Sequence, residues 1–210
     1  MLQARKPGTS IIPVIVSTDP TQDTLFGNKR AYPVYLTIGN IPKTIRCKPS
    51  WQGQILLAYL PMSKLKFITN KAARQCMLIN IYHVCLQCLL LPLIEAGIEG
   101  LPMSDRMGTM RRVHPILAIF VSNYPEQVLA TGTKSTECPK CDIPSEELGN
   151  SQALFNLRDI YAVCNALSKV SGNLRDFKDA CKQVHIKPIH HPFWESLPFV
   201  DIFQAITVNY

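Results

Sequence analysis

Long hydrophobic runs are missing from this chain of 210 residues, and several classes of protein are excluded with them. No apolar run reaches the roughly 18 residues that a membrane span needs. The closest, Met77 to Ile94, is broken by Asn80, His83, Gln87 and Pro92. The N-terminus, MLQARKPGTS, has basic residues without an apolar core behind them, so no secretory signal is read there. Internal repeats, low-complexity tracts, a Gly-rich phosphate loop, a Ser-His-Asp order and a nucleotide fingerprint are all absent. What remains is an intracellular globular chain, long enough for one well-buried domain and barely for two. An intracellular setting argues against a disulfide framework for its eight cysteines.

Charged residues make up 18% of the chain and hydrophobic ones 47%, proportions of a folded rather than a disordered protein. The net charge of +7, with a pI near 9.0, permits an anionic partner such as nucleic acid. The basic residues read as scattered along the chain rather than massed.

The stretch around which the rest is organised runs from Arg111 to Cys141. Pro115 to Val121 is a short apolar run ending in a polar turn, Ser122-Asn123-Tyr124-Pro125, and such a run reads as a buried strand. A second apolar patch, Val128 to Ala130, leads through a Thr/Gly/Lys loop to Cys138-Pro139-Lys140-Cys141. Upstream, Ile11–Val16, Tyr32–Ile38 and Gln54–Leu60 carry the β-branched or alternating pattern of strands. Lys71 to Leu91 has no Gly or Pro and follows a capping Asn70, which predicts the longest helix, with Pro92 bending or ending it. Leu101 to Met110 reads as polar turn. Downstream, Pro144–Glu147 resembles a helix start, and Ala153–Val170 and Leu174–Val184 predict amphipathic helices. Val200–Val208 is apolar. A buried strand that ends in a polar turn is where α/β proteins place their chemistry, and the fold class expected is α/β.

Asp19 follows the first strand and is a candidate metal-binding carboxylate, because hard divalent cations are held by carboxylates on neighbouring strand ends. Taken alone, the residue reads more readily as a turn aspartate before Pro20. Cys138-x-x-Cys141 is half of a tetrahedral zinc site. The second pair would be Cys181 and His185, or His190 and His191; a redox pair or two unrelated thiols are the other readings. Cys85-x-x-Cys88 has the same spacing but lies in an apolar helix, where small buried hydrophobes are expected. His83 and His114 read as core or surface residues rather than ligands.

Four segments carry a family resemblance: VIVSTDPTQDTLFGNKRAYPVYLTIGNIPKTIR, QILLAYLP, HPILAIFVSNYPEQVLATGTKSTECPKCDIP and HPFWESLPFVDIFQAIT. Over residues from about 10 to 207 the chain resembles the Plavaka-type transposases of mushroom-forming fungi, relatives of the CACTA-type cut-and-paste elements. The resemblance implies a partial ribonuclease H-like core over 1–135, a Cys/His knuckle with a helical, zinc-binding insertion over 136–198, and the start of the next core segment over 199–210. In such a core, carboxylates hold two Mg ions that drive DNA strand cleavage and transfer. The family's first Asp falls on Asp19, its second acidic position on Asn123, and its CPxC knuckle on Cys138 and Cys141. Candidate phosphate contacts are Lys29, Arg30, Arg46, Lys48, Arg111 and Arg112.

Three departures shape the expectation. Asn123 is neutral and brings no charge to a cation. The chain stops ahead of the family's Leu-His-Gln segment and third carboxylate. Cys47, Trp51, Gln52, Gln75, Cys76, Gln87 and Cys88 stand where arginines are expected, as C-to-T transitions in arginine codons would produce. The expected protein is therefore a catalytically inactive transposase fragment in the nucleus, with weak, salt-sensitive DNA contact and room for a homo-oligomer. Two alternatives are a domesticated, non-catalytic module that binds DNA or protein through a zinc knuckle, and a nuclease subunit completed by another chain.

Overall fold

The computed structural model describes residues 9–22, 30–150 and 155–207. In chain order, β1 is Ser10–Thr18, β2 Thr21–Gln22, β3 Arg30–Ala31, β4 Pro33–Ile38, α1 Lys43–Arg46 and β5 Ile55–Tyr59. Next come α2 (Lys71–Leu90), α3 (Pro92–Glu99), β6 (Leu101–Ser104), β7 (Met110–Val121) and α4 (Tyr124–Thr131). The last elements are α5 (Ile160–Leu167), α6 (Leu174–Gln183), α7 (Ile202–Ala205) and β8 (Ile206–Thr207). The fold is mixed α/β around one six-stranded mixed sheet in the order β5-β4-β1-β7-β6, with β8 also on β7. β2 and β3 form a separate two-stranded ribbon.

β1 lies at the centre because both its neighbours cover it. It pairs antiparallel with β4 and parallel with β7, and Val14, Ile15 and Val16 are all buried. A strand enclosed on both sides reads as continuous β-branched sequence rather than alternation, as this one does. The long β7 has two partners in series along its far edge. Met110–Val113 pairs antiparallel with β6, and Phe120–Val121 pairs parallel with β8.

α2 starts where the side chain of Asn70 accepts the N–H groups of Ala72 and Ala73, at 2.9 and 3.1 Å. That satisfies two of the donors a helix start leaves unpaired. Its Tyr82, Leu86 and Leu90 join Val14, Val16, Val34, Leu117 and Phe120 in the core. α5, α6 and the 193–206 segment extend the same cluster through Val163, Phe177, Trp194 and Phe203. Truncating Leu86, which is fully buried, to Ala costs about 2–5 kcal/mol by the usual cavity effect. His83 sits in this core as a neutral ring. Nε2 faces the Leu129 carbonyl at 3.1 Å, Nδ1 accepts the Phe193 N–H, and burial drives its pKa down to about 3.

Pro92 ends α2 as expected, and α3 leaves at 47° to it. Gly97 on α3 permits close packing, because a Cβ there would lie 2.6 Å from Pro198 Cγ. No single described helix is long and apolar enough to cross a membrane.

The structure corrects several sequence-based boundaries. Leu101–Met110 is not simply a turn but the β6–β7 hairpin. Its loop is tied by Asp105, which accepts N–H groups from Met107 and Thr109 and a bond from Arg111 Nε. Val128–Ala130 belongs to α4. The Ala153–Val170 helix begins only at Ile160, because Asp159 caps it there and Arg158 is drawn away into another contact. Its expected start at Ala153 lies outside the described residues. Pro144–Glu147 forms only a single tight turn over Ser145–Glu147. Cys88 is exposed and Cys85 half-buried, so this pair is not the fully buried one expected.

Candidate functional site at the strand ends and the cysteine loop

The parallel pairing of β1 and β7 sets Ser17 beside Val121, so the residues that follow each strand emerge at the same end of the sheet. Asp19 and Asn123, 104 positions apart, meet there. Asn123 Nδ2 donates to Asp19 Oδ1 at 3.2 Å. The other amide atom is also committed: Asn123 Oδ1 accepts the Glu126 N–H at 3.1 Å and so caps α4. Both ends of the amide are engaged, which fixes its orientation with an N–H toward Asp19. Ser17, Thr18, Asp19, Thr21, Pro33, Tyr35 and Gln54 line a shallow cleft beside this pair.

A third polar group lies behind them. Glu126, on the first turn of α4, is 4% exposed. Its Oε2 accepts from the Thr18 hydroxyl at 3.3 Å, while Oε1 has no partner. Burial pushes its pKa up to about 7; the hydroxyls of Tyr32 and Thr18 oppose the rise, and the charge of Asp19 adds to it. Glu126 therefore holds its proton at mildly acidic pH. The sequence carried a signal for it, since Asn123-x-x-Glu126 is the capping-box spacing at a helix start.

This donor set does not fit a two-ion centre. Two divalent ions held side by side call for several carboxylates to offset their charge, and here the amide turns a donor toward the one exposed carboxylate while the nearby acid is buried. Among the described residues, no group of three or more His, Cys, Asp and Glu side chains is gathered to hold a metal.

Beyond α4, Gly132 adopts a left-handed conformation at φ +74° and turns the chain toward the cysteine loop. The Tyr124 hydroxyl ties the two regions together by donating to the carbonyl of Glu137 at 3.0 Å. Cys138 and Cys141 are half-buried, and the Cys138 sulfur accepts the Lys140 N–H at 3.4 Å. Burial disfavours the Cys138 thiolate, but N–H groups of Lys140 and Cys141, the Cys141 thiol and the charge of Arg158 outweigh it and hold its pKa below the usual range. Cys141 is pushed up, first by burial and further by Cys138 and Asp142, against an opposing N–H bond from Ile143.

Arg158, which sequence reasoning missed, organises this loop. Its guanidinium donates to the Cys138 carbonyl at 2.8 Å, the Val184 carbonyl at 3.4 Å and Glu137 Oε2 at 3.2 Å. Glu137 also faces His185 Nδ1 at 3.1 Å and Lys134 Nζ at 3.5 Å. Burial alone would raise its pKa, but its contacts with His185, Lys134 and Arg158 bring it below the ordinary value.

The residues expected as the second zinc pair have other surroundings. Cys181 is fully buried in the core, where burial lifts its pKa to about 11. His185 is turned to Glu137, the His190 ring packs edge-on against Phe177, and His191 faces Glu195 at 3.1 Å.

The expected phosphate contacts divide in two. Arg111 is bound to Asp105 at 3.0 Å, and Arg112 donates to the carbonyls of Glu99 and Gly100. Arg30 and Lys48 are exposed and Arg46 half-buried. Lys29 lies outside the described residues.

The family model of the Plavaka transposase matches residues 1–210, the whole chain. No curated protein and no solved structure matches.

Proposed function

Since the chain belongs to the Plavaka transposase family, we propose that it is a transposase-derived, DNA-contacting protein whose strand-end site is catalytically inactive. The observation that carries this reading is the hydrogen bond from Asn123 Nδ2 to Asp19 Oδ1. A carboxylate at position 123 would add a charged metal ligand; the amide instead consumes a lone pair of Asp19. The ribonuclease H-like part of the reading is supported by a central β1 with antiparallel β4 on one side and parallel β7 on the other, with Asp19 and Asn123 at their common end. The relic reading gains support from Cys47, Trp51, Gln52, Gln75, Cys76, Gln87 and Cys88, none of which is buried. Arginine would be tolerated at each. A protein acting on, or descended from one acting on, chromosomal DNA belongs in the nucleus.

The test is nicking of supercoiled plasmid in Mg²⁺ or Mn²⁺ by the unaltered protein, by Asp19→Asn and by Asn123→Asp. No nicking by the unaltered protein is expected. Metal-dependent nicking that Asp19→Asn abolishes would overturn the inactive reading.

A second reading, a non-catalytic module with a zinc knuckle, draws on the adjoining thiols of Cys138 and Cys141 and the anchoring of their loop by Arg158. It requires two ligands from outside this pair. About one zinc per chain, lost together with cooperative unfolding in Cys138→Ser, would favour it.

A further inference from the structure

Between Thr24 and Ile94 the chain contains nine lysines and arginines and no aspartate or glutamate. All 15 acidic residues lie outside this stretch. The positive charge is therefore massed, contrary to the reading from composition, and it falls on β3 to β5, α1, α2 and their loops.

Part of this charge lies in the connections at the two ends of an outer strand. Among the described residues, β5 is an outer strand and pairs with β4 alone. Lys48 and Trp51 lie in the connection that leads into its Ile55 end, and Lys64, Lys66 and Phe67 lie in the loop that leaves its Tyr59 end. The five residues between span about 17 Å at the usual strand rise. The pairings Thr18 with Val34 and Val34 with Ala58 put the Tyr59 end of β5 at the end of the sheet where Asp19 emerges.

Large aromatic surface is open on β5 and in the connections that flank it. Phe67 is 80% exposed, and Trp51 and Tyr59 are each 62% exposed. Lysines beside exposed rings match the two needs of an unpaired nucleic-acid strand, phosphate neutralisation and base stacking. An apolar edge strand also invites pairing with a second copy, but lysines at both ends of β5 oppose the approach of an identical basic edge.

We propose that the β5 edge, with Lys48, Trp51, Tyr59, Lys64, Lys66 and Phe67, is a track for single-stranded nucleic acid leading toward Asp19. It deepens the DNA-contacting reading and rests on it only for direction, since the charge and the exposed rings stand independently.

The experiment is fluorescence anisotropy of the full chain with labelled oligo-dT of about 20 nucleotides in EDTA at about 50 mM salt. The double variant Lys64→Glu/Lys66→Glu is expected to weaken binding at least tenfold, and Phe67→Ala about fivefold, roughly one stacked base. Lys178→Glu/Lys182→Glu on α6 makes the same charge change elsewhere and should alter affinity less than twofold. Trp51 is exposed and Trp194 buried, so binding should quench tryptophan emission, and Trp51→Phe should remove that quench. Melting curves confirm that each variant folds.

Equal losses in the two double variants, or no loss in the first, would overturn the proposal. So would tighter binding of a duplex of equal length without quenching, or a dimer that hides β5 and resists oligo-dT. EDTA keeps this outcome separate from the nicking test: binding without cleavage fails neither proposal, and cleavage without edge-dependent binding fails both in distinguishable ways.

Discussion

Glu126 behind the strand ends and Arg158 beneath the cysteine loop are both ionisable side chains that the fold buries, and they meet opposite fates. Arg158 is given two carbonyls and the carboxylate of Glu137. Glu126 receives the Thr18 hydroxyl, and one of its oxygens has no partner. A guanidinium cannot shed its charge, so a fold that buries one must bring acceptors to it. A carboxyl has another route, which is to keep its proton. The cysteine loop is thereby locked into one arrangement, while the strand-end site changes its charge within the physiological range.

The largest effect is expected where the charge is permanent. Arg158→Met leaves Glu137 without its buried partner and releases the Cys138 and Val184 carbonyls, at a cost of about 3–5 kcal/mol. Thermal and urea unfolding measure it, and a loss below 1 kcal/mol would mean that the loop is not held by this residue. The second effect depends on pH. Glu126 has its pKa raised from 4.5 to about 7, so its stabilising contribution is full below pH 4.5 and is lost as pH rises through 7. Glu126→Gln should abolish this decline and be the more stable form at pH 8, by about 2 kcal/mol. A variant whose stability parallels that of the unaltered protein at every pH would break the comparison.

Asn123→Asp should cost about 1 kcal/mol at pH 8, because it keeps the helix cap but sets a second carboxylate against Asp19. Addition of Mg²⁺ should recover the loss in this variant and leave the unaltered melting temperature in place. Tyr124→Phe is the mildest change. It removes the hydroxyl between the two regions and should lower stability by about 0.5–1.5 kcal/mol. Combined with Arg158→Met it reports coupling, and strict additivity would show that the regions are energetically separate.

The frame of the fold was legible where local signals agree. The β-branched run of β1, the alternating β4 and the Asn70-capped α2 all lie within a few residues of their expected positions. The β6–β7 hairpin was hidden because Pro102 and the polar 105–109 segment read as a turn, and only the Asp105 side chain shows how that turn extends two strands. Site residues were legible by type and not by company. Nothing local tells Asp19 that Asn123 stands beside it, since that contact is made by the register of a parallel pair. Arg158 was invisible for the same reason: its acceptors come from residues 137, 138 and 184. Cys181 shows the same limit, since only the packing of α6 makes this candidate ligand a buried hydrophobe.

The double edge of β7 carries a consequence for how the protein is made. Its first half is paired by β6, a neighbour in sequence, but its second half waits for β8. The waiting segment is no ornament: Phe193, Trp194, Ile202, Phe203 and Ile206 all enter the central core. A nascent chain therefore keeps Phe120 and the α2 face uncovered until Thr207 has cleared the ribosome. Until then those apolar surfaces are open to aggregation, and slowing translation between residues 121 and 190 should increase it.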